Sequence, residues 1–347
     1  MLFIFIILPP RFNNLQYTSI SLQLYLNKKE ILYIVVHVKK YFLSICLNPV
    51  IQKTIVLDSL TEGEVLRTKE YYTHASGKGV NVSRILYQLG EEVVHFTHAG
   101  GRNRKYFLDL ACSNGLKVGW VNSFSEIRTC YTILNREKHT TTEIVEEAKP
   151  VKSTTKKRVF SRVKELLKFS HTVIISGSKA EGYSSHLFPE IVREAKKVRQ
   201  RVILDIRGDD LVSSLKYKPD IIKPNLKEFI ATFFMEKALP VGEGQDIPKN
   251  LYGMVLEKME ELYIEYGIIT ILTMGSRGVL YYTGRKTEKL PAEPVTPVNT
   301  IGCGDAFTAG LASALSKGKS LDEAVKTGQE CASKNAQQLA PGTIEPI

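Results

Sequence analysis

The residues whose types and spacing promise chemistry lie near the C-terminus, in Asn299-Thr300-Ile301-Gly302-Cys303-Gly304-Asp305-Ala306-Phe307-Thr308-Ala309-Gly310. Apolar residues at Phe307, Leu311, Ala314 and Leu315 have helical spacing, so the stretch is a glycine turn opening into a helix. Without Cβ atoms, Gly302 and Gly304 let the backbone turn sharply and approach a ligand closely. The first amides of a helix lack internal partners and sit at the positive end of its dipole. That suits a phosphoryl group and the charge it develops in transfer. Asp305 beside such an anion is placed to take the proton from an attacking hydroxyl. An Asp after Gly also fits a plain helix N-cap, and the stretch alone is compatible with both.

Three further turns carry polar residues. Ser76-Gly77-Lys78-Gly79-Val80-Asn81 precedes Val82, Ile85, Leu86 and Leu89 at helical spacing, but lacks the spacing of a Walker A loop. Its small residues would let a polyol lie against the backbone, with Lys78 and Asn81 as polar contacts. Lys223-Pro224-Asn225-Leu226-Lys227-Glu228 sits at a strand end, where α/β ligands bind. There Lys223 would meet phosphate, and Asn225 and Glu228 would organise Mg2+ through water. Thr273-Met274-Gly275-Ser276-Arg277-Gly278 is another strand-end turn, suited to nucleotide phosphates. Taken singly, each of the three also reads as an ordinary turn.

The elements that must position these turns alternate along the chain. Strands are expected at 42–47, 93–97, 172–176, 202–205, 221–223, 268–272 and 279–282, with helices near 159–169, 186–199, 226–234 and 251–266. Ser320 and Glu323 have the spacing of a capping box for a late helix. Short apolar strands between helices imply a mostly parallel sheet covered on both faces. Two β-rich stretches, about 50–75 and 118–148, break the rhythm and are expected to pair as a small lid over a site.

The chain has 347 residues, 43% of them hydrophobic, enough for one large domain. Its net charge of +11 is spread along the chain without an aromatic-interleaved basic stretch, so it fits an anionic substrate better than nucleic acid. Five scattered cysteines, Cys46, Cys112, Cys130, Cys303 and Cys331, show no metal-ligand spacing and read as reduced thiols of a cytoplasmic protein. Residues 1–37 show no clear period. The apolar run Met1–Leu8 is too short to span a bilayer and lacks a signal peptide's flanks. We expect an extra N-terminal segment, disordered or from an over-extended start, before a domain at 38–347.

In this order, the turns near 77, 225, 275 and 304 resemble those of the PfkB-type carbohydrate kinases, over about residues 41–347. Both family signatures are present, Ser-Gly-Lys-Gly-Val-Asn-Val-Ser from Ser76 and Asn-Thr-Ile-Gly-Cys-Gly-Asp-Ala-Phe from Asn299. Leu47-Asn48-Pro49, Gly63-Glu64-Val65-Leu66-Arg67, Ile127-Arg128-Thr129-Cys130 and Ile175-Ser176-Gly177-Ser178 look like the branch acting on phosphorylated sugars. That branch holds 1-phosphofructokinase, tagatose-6-phosphate kinase and the minor 6-phosphofructokinase.

The resemblance implies a ribokinase-like three-layer α/β/α sandwich with a mostly parallel central sheet and a small β lid. It implies Asp305 as base and the amides of Gly302, Cys303 and Gly304 as anion hole. Lys223, Asn225 and Glu228 would serve ATP and Mg2+, Glu228 through water. Thr273, Gly275 and Gly278 would border the nucleotide, with Asn335 near the adenine. Gly77, Lys78, Asn81 and Gln52 would hold the sugar, and Arg128, with Arg67 and Lys78, its phosphate. Such lids often pair between two subunits, so a homodimer is expected, with no nucleic-acid or membrane partner.

Fructose 1-phosphate is the favoured acceptor; tagatose 6-phosphate and fructose 6-phosphate are the alternatives, and a non-catalytic sugar-phosphate binder is a rival of another class. The chain departs from the branch at Gln52, where an Asp is usual, and at Ser76, where a Gly is usual. Lys179-Ala180 stands where Leu-Pro is common and puts a charge near the expected pocket; Cys303 replaces a common Ala.

Overall fold

The computed structural model describes residues 40–234 and 248–346, together with the backbone of three earlier strands, β1 (Ile4–Ile7), β2 (Ile20–Leu26) and β3 (Leu32–Val38). Those three pair with one another in the order β1-β3-β2. The rest of residues 1–37, set apart above as an extra segment, lies outside the described residues.

The domain begins with β4 (Tyr41–Cys46). The chain leaves for β5 (Val50–Leu57) and β6 (Tyr71–Ser76), then returns through α1 (Lys78–Gln88) to β7 (Val93–Ala99), α2 (Arg104–Ser113) and β8 (Lys117–Asn122). The hairpin of β9 (Arg128–Asn135) and β10 (Thr140–Val145) follows. Strand and helix then alternate through α3 (Ser153–Leu167), β11 (Ser170–Ser176), α4 (Leu187–Lys197), β12 (Arg201–Asp205), α5 (Gly208–Leu215), β13 (Ile221–Ile222), α6 (Leu226–Phe233), α7 (Lys249–Tyr266) and β14 (Ile269–Thr273). The antiparallel strands β15 (Val279–Tyr282) and β16 (Thr287–Leu290) and the helices α8 (Cys303–Ser316) and α9 (Leu321–Ala336) close the fold.

Among the described residues the main sheet has the order β16-β15-β14-β13-β12-β11-β4-β7-β8, parallel from β14 to β8. Its strands alternate between two cores, as a pleated sheet covered on both faces requires. Leu43, Ile45, Val173, Ile175, Val202 and Leu204 face α3 to α7. Phe42, Ile174, Ile203, Ile221 and Ile271 face α1, α8 and α9. Each fully buried Leu, Ile or Phe contributes roughly 1.5–3 kcal/mol relative to exposure, so tertiary burial dominates over helix propensity here.

A second, four-stranded sheet of order β10-β9-β5-β6 forms the lid, with β5 and β9 parallel at its centre. The lid expected over 118–148 is corrected at its start. β8 pairs with β7 at the edge of the main sheet, and only β9 and β10 enter the lid. The sequence reading also missed α2, α5 and β16. α2 buries only Phe107 and Ala111 and has no side-chain cap, which leaves a weak apolar period. The late helix carries the expected capping box between Ser320 and Glu323.

Candidate active site

Helix α8 brings its first turn to the carboxyl ends of β12, β13 and β14, the edge where parallel sheets present ligands. Gly302, not Asp305, is its N-cap, with φ of 85°. A Cβ there would lie 2.5 Å from the Gly342 amide nitrogen, so dihedral and contact both demand glycine. Asp305 is the third helical residue; it is buried, and its Oδ2 accepts from Asn81 Nδ2 at 2.7 Å. The N-cap alternative for Asp305 is thereby set aside. The Gly304 and Asp305 amides find no hydrogen-bond acceptor among the described residues, as an anion-binding helix terminus requires.

Beside it lies the head of α1. Lys78 reaches across the cleft, with Nζ 3.1 Å from Glu228 Oε1 and 3.6 Å from Asp205 Oδ1. Lys223 Nζ lies 3.3 Å from Asp205 Oδ2. Glu228 forms a capping box with Asn225 at the head of α6, Asn225 Oδ1 accepting at 2.8 Å and Glu228 Oε2 at 3.0 Å. Asn225 bridges Thr273 at the end of β14.

These charges set one another's proton affinity. Burial pushes the Asp305 carboxyl well above the ordinary carboxylate range, and the Asp205 charge adds to it; Lys78, the Asn81 amide and Lys223 pull the other way without cancelling the rise. Burial also opposes the Asp205 charge, but the Lys223 and Lys78 ammoniums outweigh it and hold that carboxyl below its usual range. For Lys78, burial is outweighed by Asp205, Glu228 and Asp305, so its ammonium is held above the usual lysine range. One carboxyl is therefore fixed as an anion and the other is ready to exchange a proton.

The cleft holds about 360 Å³. Gln52, Gly77, Lys78, Asn81, Arg128, Lys223, Asn225, Glu228, Thr273, Gly302, Gly304 and Asp305 line it, from turns far apart in sequence. Other expected residues lie outside this lining. Asn335 is fully buried. Its Nδ2 donates to Ile301 O at 2.9 Å and its Oδ1 accepts from the Thr343 amide at 3.1 Å, so its amide fastens the Gly302 turn to the C-terminal loop. The Cys303 thiol faces that same amide at 3.4 Å. Arg67 is exposed on the connection between β5 and β6, and Gly275 and Gly278 bound the short 3-10 turn after β14. Lys179 pairs with Asp210 and contributes no charge to the cleft.

Sequence reasoning missed Asp205 and Arg84. Asp205 had a signal, an acid closing the apolar strand Val202-Ile203-Leu204. Arg84 had a weaker one, a cation on the buried face of α1.

A buried carboxyl beside helix-terminal amides with no acceptor, at a cleft walled by the lid and by the carboxyl ends of parallel strands, fits a phosphotransferase acting on an alcohol. The family model for pfkB family carbohydrate kinases matches residues 46–347, and the chain belongs to that family. Tagatose-6-phosphate kinases from two strains of Staphylococcus epidermidis are 29% identical over 304 residues, covering 87% of this chain and 94% of theirs. Among solved structures, a Thermotoga maritima protein described as a possible 1-phosphofructokinase superposes with a TM-score of 0.77 at 21% identity, covering 88% of this chain and 94% of that one. Escherichia coli phosphofructokinase-2 in complex with fructose-6-phosphate gives 0.73 at 18% identity, covering 86% and 93%. Thermotoga maritima ribokinase gives 0.63 at 19%, covering 87% and 95%. The shared architecture is the ribokinase-like fold.

Proposed function

We propose that this kinase transfers the terminal phosphoryl of ATP to a hydroxyl of a ketose monophosphate, with fructose 1-phosphate giving fructose 1,6-bisphosphate as the favoured pair. The observation that carries the phosphosugar reading is Arg128. It lines the cleft from β9 and donates from Nη1 to Glu146 O at 2.9 Å, while its Nε is buried with no acceptor. A substrate phosphate supplies that acceptor. Two relatives are tagatose-6-phosphate kinases, and a similar structure holds fructose-6-phosphate, so those two sugars are the competing acceptors.

In this reading Asp305 takes the proton of the attacking hydroxyl, and the amides of the Gly302-Cys303-Gly304 turn receive the charge of the moving phosphoryl group, Gly304 and its neighbour Asp305 being free of an acceptor among the described residues while the Cys303 amide donates to Thr300 O at 3.4 Å. Gly77, Lys78 and Asn81 position the sugar. Gln52 donates from Nε2 to Thr132 Oγ1 at 2.8 Å, leaving its Oε1 to accept from a hydroxyl. Lys223 and Asn225 meet ATP, bordered by Thr273, Gly275 and Gly278.

The residues fit Mg2+ held mainly by phosphates and water. Glu228 already accepts from Lys78 and from the Asn225 amide, so it reaches an ion through water, and Asp205 Oδ1 is a buried acceptor with no hydrogen-bond donor. When bound, the ion neutralises phosphate charge and orients the terminal group. A second copy of the chain would cover the lid, whose strand β10 is exposed along its whole length.

The test is a panel of sugar phosphates with coupled detection of ADP. Fructose 1-phosphate should show the highest kcat/KM. Preference for tagatose 6-phosphate or fructose 6-phosphate would replace the assigned acceptor, and ADP release without a phosphorylated acceptor would remove the kinase reading.

A further inference from the structure

We propose that Arg84 is a positioning residue: it fixes the amide of Asn81 so that the nitrogen faces Asp305 Oδ2, leaving Asp305 Oδ1 as the oxygen that takes the proton. This rests on Asp305 serving as the base.

Arg84 lies on α1 and is 1% exposed. Among the described residues no carboxylate forms an ion pair with it. Its guanidinium instead donates to oxygens on three sides. Nε meets Asn114 Oδ1 at 3.2 Å, and Nη2 meets Ala75 O. Nη1 meets Asn81 Oδ1 at 3.3 Å, Pro341 O at 3.0 Å and Gly342 O at 3.2 Å. Burial lowers its pKa to about 10, against the favourable charge of Asp305, so it stays a cation at neutral pH.

A guanidinium has donors and no acceptor. The Asn81 atom facing Arg84 must therefore be the carbonyl oxygen. The Ser76 hydroxyl lies 3.0 Å from the same atom, but a hydroxyl can donate or accept and does not decide the orientation. With its oxygen held, Asn81 has only its NH2 to offer Asp305 Oδ2, at 2.7 Å. The C-terminal loop closes the remaining space, since a Cβ on Gly342 would lie 2.3 Å from Asn81 Cγ. Asp305 Oδ1 accepts no hydrogen bond from the described residues, and Asp305 lines the cleft.

A buried cation without a carboxylate is a poor device for stability, because an apolar side chain of similar volume avoids the desolvation cost. Its use lies in orientation. Without Arg84 the Asn81 amide is free to turn its oxygen toward Asp305 and accept from it whenever that carboxyl is protonated, which favours the protonated form. The other charges around Asp305 are Lys78 on α1, Lys223 after β13 and, across the cleft, Glu228 on α6; none of these touches the Asn81 amide.

Two measurements test this. Neutron diffraction from deuterium-exchanged wild-type crystals separates nitrogen from oxygen. Two deuterons should sit on the Asn81 atom facing Asp305 and none on the atom facing Arg84; the reverse arrangement overturns the proposal. In kinetics, Arg84→Met should lower kcat on the order of tenfold to a hundredfold, the scale of one hydrogen bond to a charged group, with KM for ATP unchanged. The acid limb of the kcat/KM profile should move to higher pH, because the amide no longer favours the carboxylate, and Arg84→Lys should recover part of kcat. A folded Arg84→Met with wild-type kcat and acid limb overturns the proposal. If Arg84→Met does not fold, the wild-type neutron structure decides. A wild type that phosphorylates no acceptor fails the kinase reading, while the neutron result still upholds or overturns the orientation assigned to Arg84.

Discussion

Two glycine turns, each opening a helix, lie side by side at the cleft, Asn81 after one donating to Asp305 after the other at 2.7 Å, and they present opposite charges. The α1 turn offers Lys78, whose side chain is 39% exposed, and the α8 turn offers Asp305, which is 5% exposed. Lys78 keeps its charge because three carboxylates outweigh its burial; Asp305 holds its proton more tightly because its burial outweighs two lysines and an amide. The cation keeps its charge because its counterions outweigh its burial, and the carboxyl is pushed toward its protonated form because its partners do not.

The turns are also held differently. Gly77 packs against Cys46 Sγ, at 3.0 Å from an added Cβ, whereas Gly302 packs against the backbone of the C-terminal loop at 2.5 Å. A side chain yields more readily than a backbone amide that is itself anchored.

The comparison breaks most visibly at the base. Asp305→Asn should leave ATP binding intact and reduce kcat by about 10²- to 10⁴-fold; near-normal turnover in single-turnover assays would take the base role from Asp305. Lys78→Met comes next. It should lower kcat/KM by about 10²-fold. Because the Lys78 ammonium lowers the proton affinity of Asp305, its loss should also move the acid limb upward.

In the unaltered enzyme that limb should already lie above the ordinary carboxylate range, with activity lost as pH falls through it and Asp305 becomes protonated. A limb at the usual carboxylate pH would contradict the burial argument.

Thermal unfolding compares the two turns themselves. Gly302→Ala should destabilise by about 1–3 kcal/mol and more than Gly77→Ala, since both hold positive φ but only Gly302 meets backbone at 2.5 Å; equal shifts in Tm would remove the distinction. The smallest effect is expected at Gln52→Asp, which adds a charge toward sugar hydroxyls and should change KM for the sugar phosphate a few-fold, on the order of 1 kcal/mol or less, with kcat nearly constant.

The local parts of this protein were legible in its residues. An apolar run between turns makes a parallel strand wherever it sits, so β4, β7, β11, β12 and β14 were expected near their observed bounds. A glycine turn before a helical period exposes amides in any context, which located Asp305 at the head of α8. Other features were not local. β8 has the same β-rich character as the lid strands, and only its pairing with β7 assigns it to the main sheet. The hold of Asn335 on the Gly302 turn and the C-terminal loop joins residues 301, 335 and 343 and exists only in the folded chain.

The sequence by itself placed a carboxylate, a lysine turn and a basic strand end each beside a turn, because residue type and turn geometry are properties of short stretches; only the resemblance of their order to the PfkB-type kinases joined them into one phosphoryl-transfer chemistry. The tertiary structure decided which acid binds a proton more readily than usual and which less readily. Asp205 and Asp305 are both buried aspartates, and what separates them is company drawn from distant parts of the chain: the Lys223 and Lys78 ammoniums for one, an amide 224 residues away for the other. Proton affinity depends on desolvation and on charges a few ångströms away, and neither exists until the chain has folded.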